Sequence, residues 1–225
     1  MVPETNCRVW SLIVPLKPLR RAKSRLAPVA GDTLRPSLAL AFAEDTVAAA
    51  LACAAVREVV VVTDDPLAGD RLALLGARVL PDAPGRGLNA ALAHGAAAVR
   101  AGRPAAAVAA LNADLPALRP AELGLVLAAA AGHARSFLAD AAGVGTTLLA
   151  ATAPAALGPA FGGPSRARHR FSGAAELALD GVESVRRDVD TGEDLRAALA
   201  LGVGPRTAAS ARRLTASAGF TASAG

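Results

Sequence analysis

The sequence is poor in aromatic residues. It contains no tyrosine, and aromatic residues make up only 3% of the chain. Proteins that bind single-stranded nucleic acid stack its bases on aromatic side chains, so we expect no nucleic-acid partner. The chain is nevertheless basic, because 24 lysines and arginines against 19 acidic residues give a net charge of +5. That charge suits an anionic ligand.

Cysteine and long apolar segments are also scarce. Cys7 and Cys53 are the only cysteines, and their separation fits neither a disulfide framework nor a metal site with CxxC spacing. We expect both to be small buried hydrophobic residues. No apolar run approaches the ~20 residues that span a bilayer, and the N-terminus lacks the layout of a signal peptide. These absences predict a cytoplasmic protein that does not bind membranes.

Two glycine-rich phosphate-binding motifs are missing as well. The chain has no GxGxxG, which argues against a dinucleotide-binding unit, and no GxxxxGK(S/T), which excludes a P-loop. A basic loop, residues 15–26 (PLKPLRRAKSRL), follows the first predicted strand instead, with five cations within nine residues. Its side chains could bind a triphosphate. The alternative is an exposed basic turn.

Short apolar segments alternate with alanine-rich helical segments along the chain. Seven strands are predicted, including those over 8–14, 57–63, 108–111 and 183–187. Such alternation is typical of a three-layer α/β/α domain with a mostly parallel sheet. We expect one domain over residues 1–205 of this 53% hydrophobic chain. Residues 206–225 show no periodic apolar face and predict a disordered tail.

Aspartates follow two of the predicted strands. Asp114 comes just after the apolar run 108–111, where ligands gather in open α/β sheets. It could hold Mg²⁺ or cap the next helix. Asp188 and Asp190 are two residues apart in an extended segment, so they project to one face. Two such carboxylates repel unless a cation lies between them.

Other candidate residues lie between these segments. Asn89, at the start of a helix, offers an amide that could contact a base or ribose edge, or it could be an N-cap. The turn GVGTT over 143–147 could present N–H groups and hydroxyls to a phosphate. His94 and His133 look like helix-surface residues, and His169 stands out only through its basic neighbours. No histidine is a convincing catalytic base.

Several separated motifs, taken together, resemble one enzyme family. They are VPLKPLRRAKSRL (14–26), GLNAAL (87–92), NADLPAL (112–118), DAAGVGTTLL (140–149), FGGPSRARH (161–169) and DVDTGEDL (188–195). In combination and order they resemble the guanylyltransferases of deazaflavin coenzyme F(420) biosynthesis. The resemblance covers about residues 8–201 and implies a nucleotidyltransferase-like (Rossmann-like) fold.

The resemblance also implies roles for particular residues. The family's metal-binding aspartates fall on Asp114, Asp188 and Asp190, which implies Mg²⁺ as the cofactor. Its acceptor-phosphate contacts fall on Thr147, Gly162 and Ser165. The basic loop resembles the segment that binds the phosphates of GTP, through Lys17, Lys23 and Arg25.

The implied reaction transfers GMP from GTP to phosphoenolpyruvate or 2-phospho-L-lactate and releases pyrophosphate. We expect phosphoenolpyruvate, because the alanine- and arginine-rich composition is typical of actinobacteria, whose members of this family are associated with that acid. A related transferase acting on a sugar phosphate or a molybdopterin-like acceptor stays open, since fold does not set the acceptor. A nucleotide sensor without turnover is the other alternative. The sequence makes no prediction about the oligomeric state.

Overall fold

A computed structural model describes residues 10–83 and 85–218, with side chains described to residue 214. Within these residues a seven-stranded sheet runs in the order β3-β2-β1-β4-β6-β5-β7. The strands are β1 (Trp10–Pro15), β2 (Val56–Val62), β3 (Arg78–Leu80), β4 (Val108–Leu111), β5 (Arg135–Ala139), β6 (Thr146–Ala151) and β7 (Ala175–Glu176). The predicted α/β class is confirmed.

The sheet is mostly parallel, as predicted, and β6 is the reversed strand. β6 pairs antiparallel with both β4 and β5, whereas the other neighbouring strands pair in parallel. Because of this reversal, the amino end of β6 lies at the carboxyl edge of the sheet. The register shows this directly, since Leu111 near the end of β4 faces Leu148 near the start of β6. The turn before β6 therefore reaches the edge where ligands gather in such folds.

Helices cover both faces of the sheet. They are α1 (Ala27–Leu51), α2 (Pro66–Ala73), α3 (Leu88–Gly102), α4 (Pro120–Ala130), α5 (Ser165–Phe171), α6 (Glu183–Arg186), α7 (Gly192–Leu201) and α8 (Pro205–Ala218). Residues 19–21 and 24–26 of the basic loop form single 3₁₀ turns. α7 begins with a capping box, since Thr191 and Asp194 bond reciprocally.

β4 shows how the apolar runs build three layers. Ala109 and Leu111 pack into a core with α1, α2 and α4, while Val108 and Ala110 pack into a second core with α3. A strand buried on both faces needs apolar residues at every position, which explains the unbroken run. α3 lies especially close to the sheet, because a Cβ on Gly95 would stand 2.6 Å from Ile13 Cγ2.

The late strand predicted over 183–187 is wrong. Residues Glu183–Arg186 form the short helix α6, and the seventh strand is β7. The buried carboxylate of Glu122 on α4 accepts hydrogen bonds from the backbone N–H and the hydroxyl of Ser184, at 2.8 and 2.7 Å. This tertiary contact holds the segment as a helical turn against α4, which local β propensity could not predict.

The predicted disordered tail is also wrong as far as the structure describes it. α8 begins at Pro205, and the carboxylate of Asp45 accepts hydrogen bonds from the N–H groups of Arg206 and Thr207, at 3.2 and 2.7 Å. Thr207, Ala211 and Leu214 are buried at helical spacing. This row of buried residues is short and contains a threonine, so the sequence shows no clear apolar face there. The domain therefore extends beyond residue 205, and residues 219–225 lie outside the described part.

Two further expectations concern cysteine and membranes. Cys53 is a free, buried cysteine, as predicted, whereas Cys7 lies outside the described residues. Among the described helices, none is both long and apolar enough to cross a bilayer.

Candidate functional site

A cavity of about 650 Å³ opens at the carboxyl edge of the sheet. This volume lies within the range of small-molecule sites. The basic loop, the segment after β4, the turn before β6, the loop before α5 and the segment before α7 all contribute to its walls. Its polar lining residues include Lys17, Arg21, Lys23, Arg25, Asn112, Asp114, Asp140, Thr146, Ser165, Asp188 and Asp190.

The three aspartates that the sequence singles out line this cavity together. The backbone carbonyl of Asp114 accepts a hydrogen bond from the N–H of Val189 at 3.0 Å. Val189 is fully buried, whereas Asp188 is half-buried and Asp190 is exposed. This alternation is that of an extended segment, so both carboxylates turn to the cavity side, as predicted.

Lys23 lies between two of these carboxylates. Its ammonium contacts Asp114 Oδ2, and it donates a hydrogen bond to Asp190 Oδ1 at 2.8 Å. Lys23 has a φ of 57°, a conformation that is uncommon for residues other than glycine. Burial acts to lower the pKa of Lys23, but the charges of Asp114 and Asp190 outweigh it and raise that pKa. The ammonium is therefore firmly charged.

The carboxylates carry more negative charge than Lys23 compensates. Burial, and then the charges of Asp114 and Asp190, raise the pKa of Asp188 to about 7. Burial opposes ionisation of Asp190 too, but Lys23 and then Arg25 lower its pKa. Asp190 is thus stabilised as an anion, while the charge of Lys23 offsets the rise in the pKa of Asp188 only in part. The site favours an additional cation.

Magnesium fits this donor set chemically. Asp114 Oδ1 is buried and has no hydrogen-bond partner among the described residues. Mg²⁺ binds carboxylate oxygens and usually takes only one or two of them, with waters and substrate phosphates as its other ligands. Within residues 10–83 and 85–218, however, no three acidic, histidine or cysteine side chains form a preassembled metal cluster. Magnesium binding stays a prediction, with Asp114, Asp188 and Asp190 as candidate ligands.

The basic loop brings further cations to the cavity. Lys17 and Arg25 line it with exposed side chains, and Arg25 Nη1 lies 4.0 Å from Asp190 Oδ2. Arg21 lines it as well and was not singled out from the sequence. The loop is therefore part of the cavity wall rather than a remote solvated turn, although contact with a triphosphate stays a prediction.

The turn before β6 is not the phosphate cradle that its glycines suggest. The carboxylate of Asp140 accepts hydrogen bonds from the N–H groups of Val144 and Gly145, at 2.9 and 2.8 Å. A Cβ on Gly145 would stand 2.4 Å from Asp140 Oδ2, so the glycine permits this close approach. These N–H groups are thus occupied, which corrects the expectation that they are offered to a phosphate.

The two threonines of this turn differ in their surroundings. Thr147 is fully buried and is not among the residues that line the cavity. Its hydroxyl has no hydrogen-bond partner in the described chain. Thr146 does line the cavity, and its hydroxyl lies 3.0 Å from His169 Nδ1. Contact between Thr147 and an acceptor phosphate stays a prediction, and Thr146 is the threonine of this turn that lines the cavity.

The loop before α5 forms another part of the cavity wall. Gly162 and Ser165 both line the cavity, as the resemblance implied. Gly162 has a φ of 95°, which strongly favours glycine. Ser165 is buried at the first residue of α5. Their contact with a phosphate stays a prediction, but their position on the cavity does not conflict with it.

Asn89 is not the N-cap that its position suggested. The N-cap of α3 is Gly87. The Asn89 amide donates to the carbonyl of Phe161 at 3.1 Å, and its oxygen accepts from the N–H of Phe161 at 2.8 Å. The amide is therefore engaged by the loop before α5 and is not among the residues that line the cavity, and contact with a base or ribose stays a prediction. It acts by holding that loop.

His169 is a second residue that holds this loop. It is fully buried on α5, and its Nε2 accepts a hydrogen bond from the N–H of Ala160 at 3.0 Å. Its ring packs edge-on against Phe161, with 5.0 Å between ring centroids. Burial, and then the positive charges of Arg135 and Arg168, lower the pKa of His169 to about 4. In the sequence it looked like one member of a basic cluster.

The chain is similar in sequence and in fold to known nucleotidyltransferases. Residues 33–176 match the MobA-like NTP transferase domain. A crystal structure from Desulfovibrio desulfuricans G20, provisionally named a nucleotide-diphospho-sugar transferase, has the same fold. It superposes with a TM-score of 0.65 at 16% identity, covering 92% of this chain and 95% of that one. The chain belongs to the MobA-like nucleotidyltransferases.

Relatives with higher sequence identity define the family more narrowly. The phosphoenolpyruvate guanylyltransferase of Streptomyces avermitilis is 72% identical over 205 residues, covering 91% of this chain and 95% of that protein. The protein of that name from Streptomyces coelicolor is 71% identical, covering 91% and 97%. The chain therefore belongs to the phosphoenolpyruvate guanylyltransferase family, and the resemblance drawn from its motifs is confirmed.

Proposed function

We propose that this protein transfers GMP from GTP to phosphoenolpyruvate and releases pyrophosphate. The observation that carries the proposal is the cavity itself, where three carboxylates converge beside the cations of the basic loop. Transfer of a nucleotidyl group needs both charges, one to hold a metal ion and the other to hold phosphates. The choice of guanine and of the acceptor rests on the family to which the chain belongs.

The triphosphate of GTP binds along the basic loop in this proposal. Lys17 and Arg25 have exposed, charged ends at the cavity, and Lys23 brings a firmly charged ammonium into its wall. Cations in these positions stabilise the negative charge that builds up on the pyrophosphate as it leaves. Positioning and charge neutralisation are the main contributions that a protein makes to such transfers.

Asp114, Asp188 and Asp190 would hold Mg²⁺ with the phosphates. When bound, the ion neutralises charge on the phosphates and helps to orient them. Two of these carboxylates also position Lys23. In the structure Asp114 and Asp190 bind Lys23, so they keep that ammonium at the cavity in a defined position. Binding of a metal and of a triphosphate would redistribute these charge pairs.

The acceptor needs no general base from the protein. The second pKa of a phosphate monoester is about 6, so its phosphate is largely a dianion at neutral pH. One of its oxygens attacks the α-phosphorus of GTP, the new P–O bond forms, and the bond to the bridging oxygen of pyrophosphate breaks. No proton has to leave the nucleophile. The cavity contains no histidine among its lining residues, which is consistent with this route.

The acceptor would lie against Gly162 and Ser165. Phosphoenolpyruvate and 2-phospho-L-lactate differ by only two hydrogens, a difference worth about 1–3 kcal/mol in a pocket. The relatives named for phosphoenolpyruvate support that acid. We also propose, on the resemblance of the motifs, that the product serves the biosynthesis of deazaflavin coenzyme F(420).

Competition between the two acids tests the proposal. The protein is incubated with GTP, Mg²⁺ and equal concentrations of both acids, and the guanylylated products are resolved by mass spectrometry. We expect the phosphoenolpyruvate product to dominate. A dominant phospholactate product would overturn the acceptor but keep the guanylyltransferase, whereas neither product would overturn both.

A further inference from the structure

A chain of hydrogen bonds connects the loop before α5 to the cavity. The N–H of Ala160 donates to Nε2 of His169 at 3.0 Å. The other ring nitrogen, Nδ1, lies 3.0 Å from the hydroxyl oxygen of Thr146. Both side chains are buried, with exposed fractions of 0% for His169 and 4% for Thr146. The hydrogen bond from Ala160 fixes the direction of the hydrogen bond between His169 and Thr146.

A backbone N–H can only donate, so Nε2 of His169 must accept and carries no proton. A neutral imidazole has one N–H, which is then on Nδ1. Burial keeps the ring neutral at physiological pH, with a pKa of about 4. Nδ1 therefore donates to Thr146, and the hydroxyl oxygen of Thr146 accepts. The hydrogen of that hydroxyl is left for a different partner.

No group in the described part of the chain takes this hydrogen. Within the described part of the chain, the contact with His169 is the hydroxyl's only side-chain hydrogen bond, and Thr146 lines the cavity. The carboxylate of Asp140, which also lines the cavity, accepts from the N–H groups of Val144 and Gly145 and makes no hydrogen bond with Thr146 in the described chain. A hydroxyl whose acceptor lone pair is occupied by a fixed donor turns its own hydrogen outward. Its natural partner is an acceptor that arrives in the cavity.

We propose that the Thr146 hydroxyl donates a hydrogen bond to an anionic oxygen of the phosphorylated acid, and that His169 sets its direction. Thr146 is thus an acceptor-binding residue, and His169 is a positioning residue that acts through it. This inference rests on the proposed function, because it takes the acceptor to be phosphoenolpyruvate. It adds a side-chain donor at the turn whose backbone N–H groups are occupied by Asp140.

The tautomer of His169 can be measured without any substrate. In a long-range ¹H–¹⁵N spectrum of the full chain, the His169 signals are assigned by their loss in His169→Gln. We expect a protonated Nδ1 and an unprotonated Nε2 at pH 7. A protonated Nε2 would overturn the inference, because Nδ1 would then accept the hydrogen of Thr146 and no donor would remain for a ligand.

Steady-state kinetics test the contact itself. Thr146→Val keeps the shape of the side chain but removes the hydroxyl, and Thr146→Ser restores the hydroxyl. Hydrogen bonds to charged groups predict a KM for phosphoenolpyruvate that rises about 10- to 100-fold in Thr146→Val, with the KM for GTP unchanged and with recovery in Thr146→Ser. Thr152→Val is the matched control, since its hydroxyl donates to the carbonyl of His133 outside the cavity lining.

The outcomes separate this inference from the proposed function. An unchanged KM for phosphoenolpyruvate in Thr146→Val, with an active wild type, would overturn the role of Thr146 alone. A wild type that transfers GMP to neither acid would overturn the proposed function and this inference with it. Equal increases in both KM values would indicate a general structural defect and would also contradict the inference.

Discussion

The two walls of the cavity are built on different physical principles. One, the charged wall, consists of Lys23, Asp114, Asp188 and Asp190, whose side chains bind or repel one another through charge. The other, the neutral wall, consists of Thr146 and Phe161, which line the cavity, together with Asn89 and His169, which do not line it but hold them through directed hydrogen bonds and ring packing. One site therefore combines a charged wall whose ion pairs can rearrange with a neutral wall whose geometry is fixed by hydrogen bonds.

The difference matters for what each wall can do. Charge pairs between flexible side chains can exchange partners when a metal or a triphosphate enters, because Coulomb attraction has little directionality. Buried, directional hydrogen bonds keep one arrangement, since breaking them leaves unsatisfied polar groups. We therefore expect substitutions in the charged wall to affect turnover and nucleotide binding, and substitutions in the neutral wall to affect the acceptor.

The largest effect is expected at Asp114. Asp114→Asn removes a carboxylate that binds Lys23 and is a candidate magnesium ligand, so we predict that kcat falls by about 100- to 1000-fold. The unfolding temperature should remain near that of the wild type. The control is Asp180→Asn, an exposed aspartate outside the cavity lining. Near-normal turnover in Asp114→Asn would remove this carboxylate from the site.

The next effect concerns Lys23 and the nucleotide. Lys23→Met keeps most of the side-chain volume but removes the charge that contacts Asp114 and Asp190. We predict that the Kd for GTP rises about 10- to 100-fold at low salt and that wild type and variant converge as ionic strength increases. Arg57→Met, an exposed cation on β2 outside the cavity lining, is the control. A GTP affinity that ignores both charge and salt would contradict this role.

A smaller effect is expected at Asn89 in the neutral wall. Asn89→Ala breaks two hydrogen bonds to the backbone of Phe161, which loosens the loop that carries Gly162 and Ser165. We predict a KM for phosphoenolpyruvate about 3- to 10-fold higher, with GTP binding unchanged. His94→Ala, further along the same helix, serves as the comparison. If GTP binding weakened instead, the two walls would not divide the substrates as we describe.

The last effect is expected at His169 and concerns stability rather than substrate binding, because its contribution is lost in acid. Its pKa in the folded protein, about 4, lies below the unfolded value of about 6.5. Its stabilising effect is therefore complete above pH 6.5 and is lost as the pH falls towards 4, by up to about 3 kcal/mol. We predict that the difference in unfolding free energy between wild type and His169→Gln shrinks over that interval. A constant difference would contradict a neutral, buried imidazole.

The sequence could predict the charged wall better than the neutral one. Asp114 follows the apolar run of β4, so its place at the sheet edge follows from strand order. Asp188 and Asp190 were recognisable from their motif, although the segment before them is the helix α6 rather than a strand. The roles of Asn89 and His169 depend on contacts with residues 160 and 161, and no local pattern shows which backbone group an amide or imidazole binds. Asp140 likewise occupies N–H groups that the glycine pattern alone leaves available.

The same contrast between local sequence patterns and distant contacts applies to the fold. The three layers and the parallel sheet could be predicted because strands buried on both faces have unbroken apolar runs, as in β4. α6 and α8 could not, since each depends on a distant buried carboxylate. Glu122 binds Ser184 in the first case, and Asp45 binds the start of α8 in the second. Tertiary hydrogen bonds of this kind have no sequence signature.

The most direct test of the account is pyrophosphate release by the full chain with GTP, Mg²⁺ and phosphoenolpyruvate, each omitted in turn. Because we propose that the charged wall binds the nucleotide and the neutral wall binds the acid, we predict release only when all three are present, with one guanylylated phosphoenolpyruvate formed per pyrophosphate. Equal release without phosphoenolpyruvate, or release that persists after magnesium is removed with a chelator, would contradict the account.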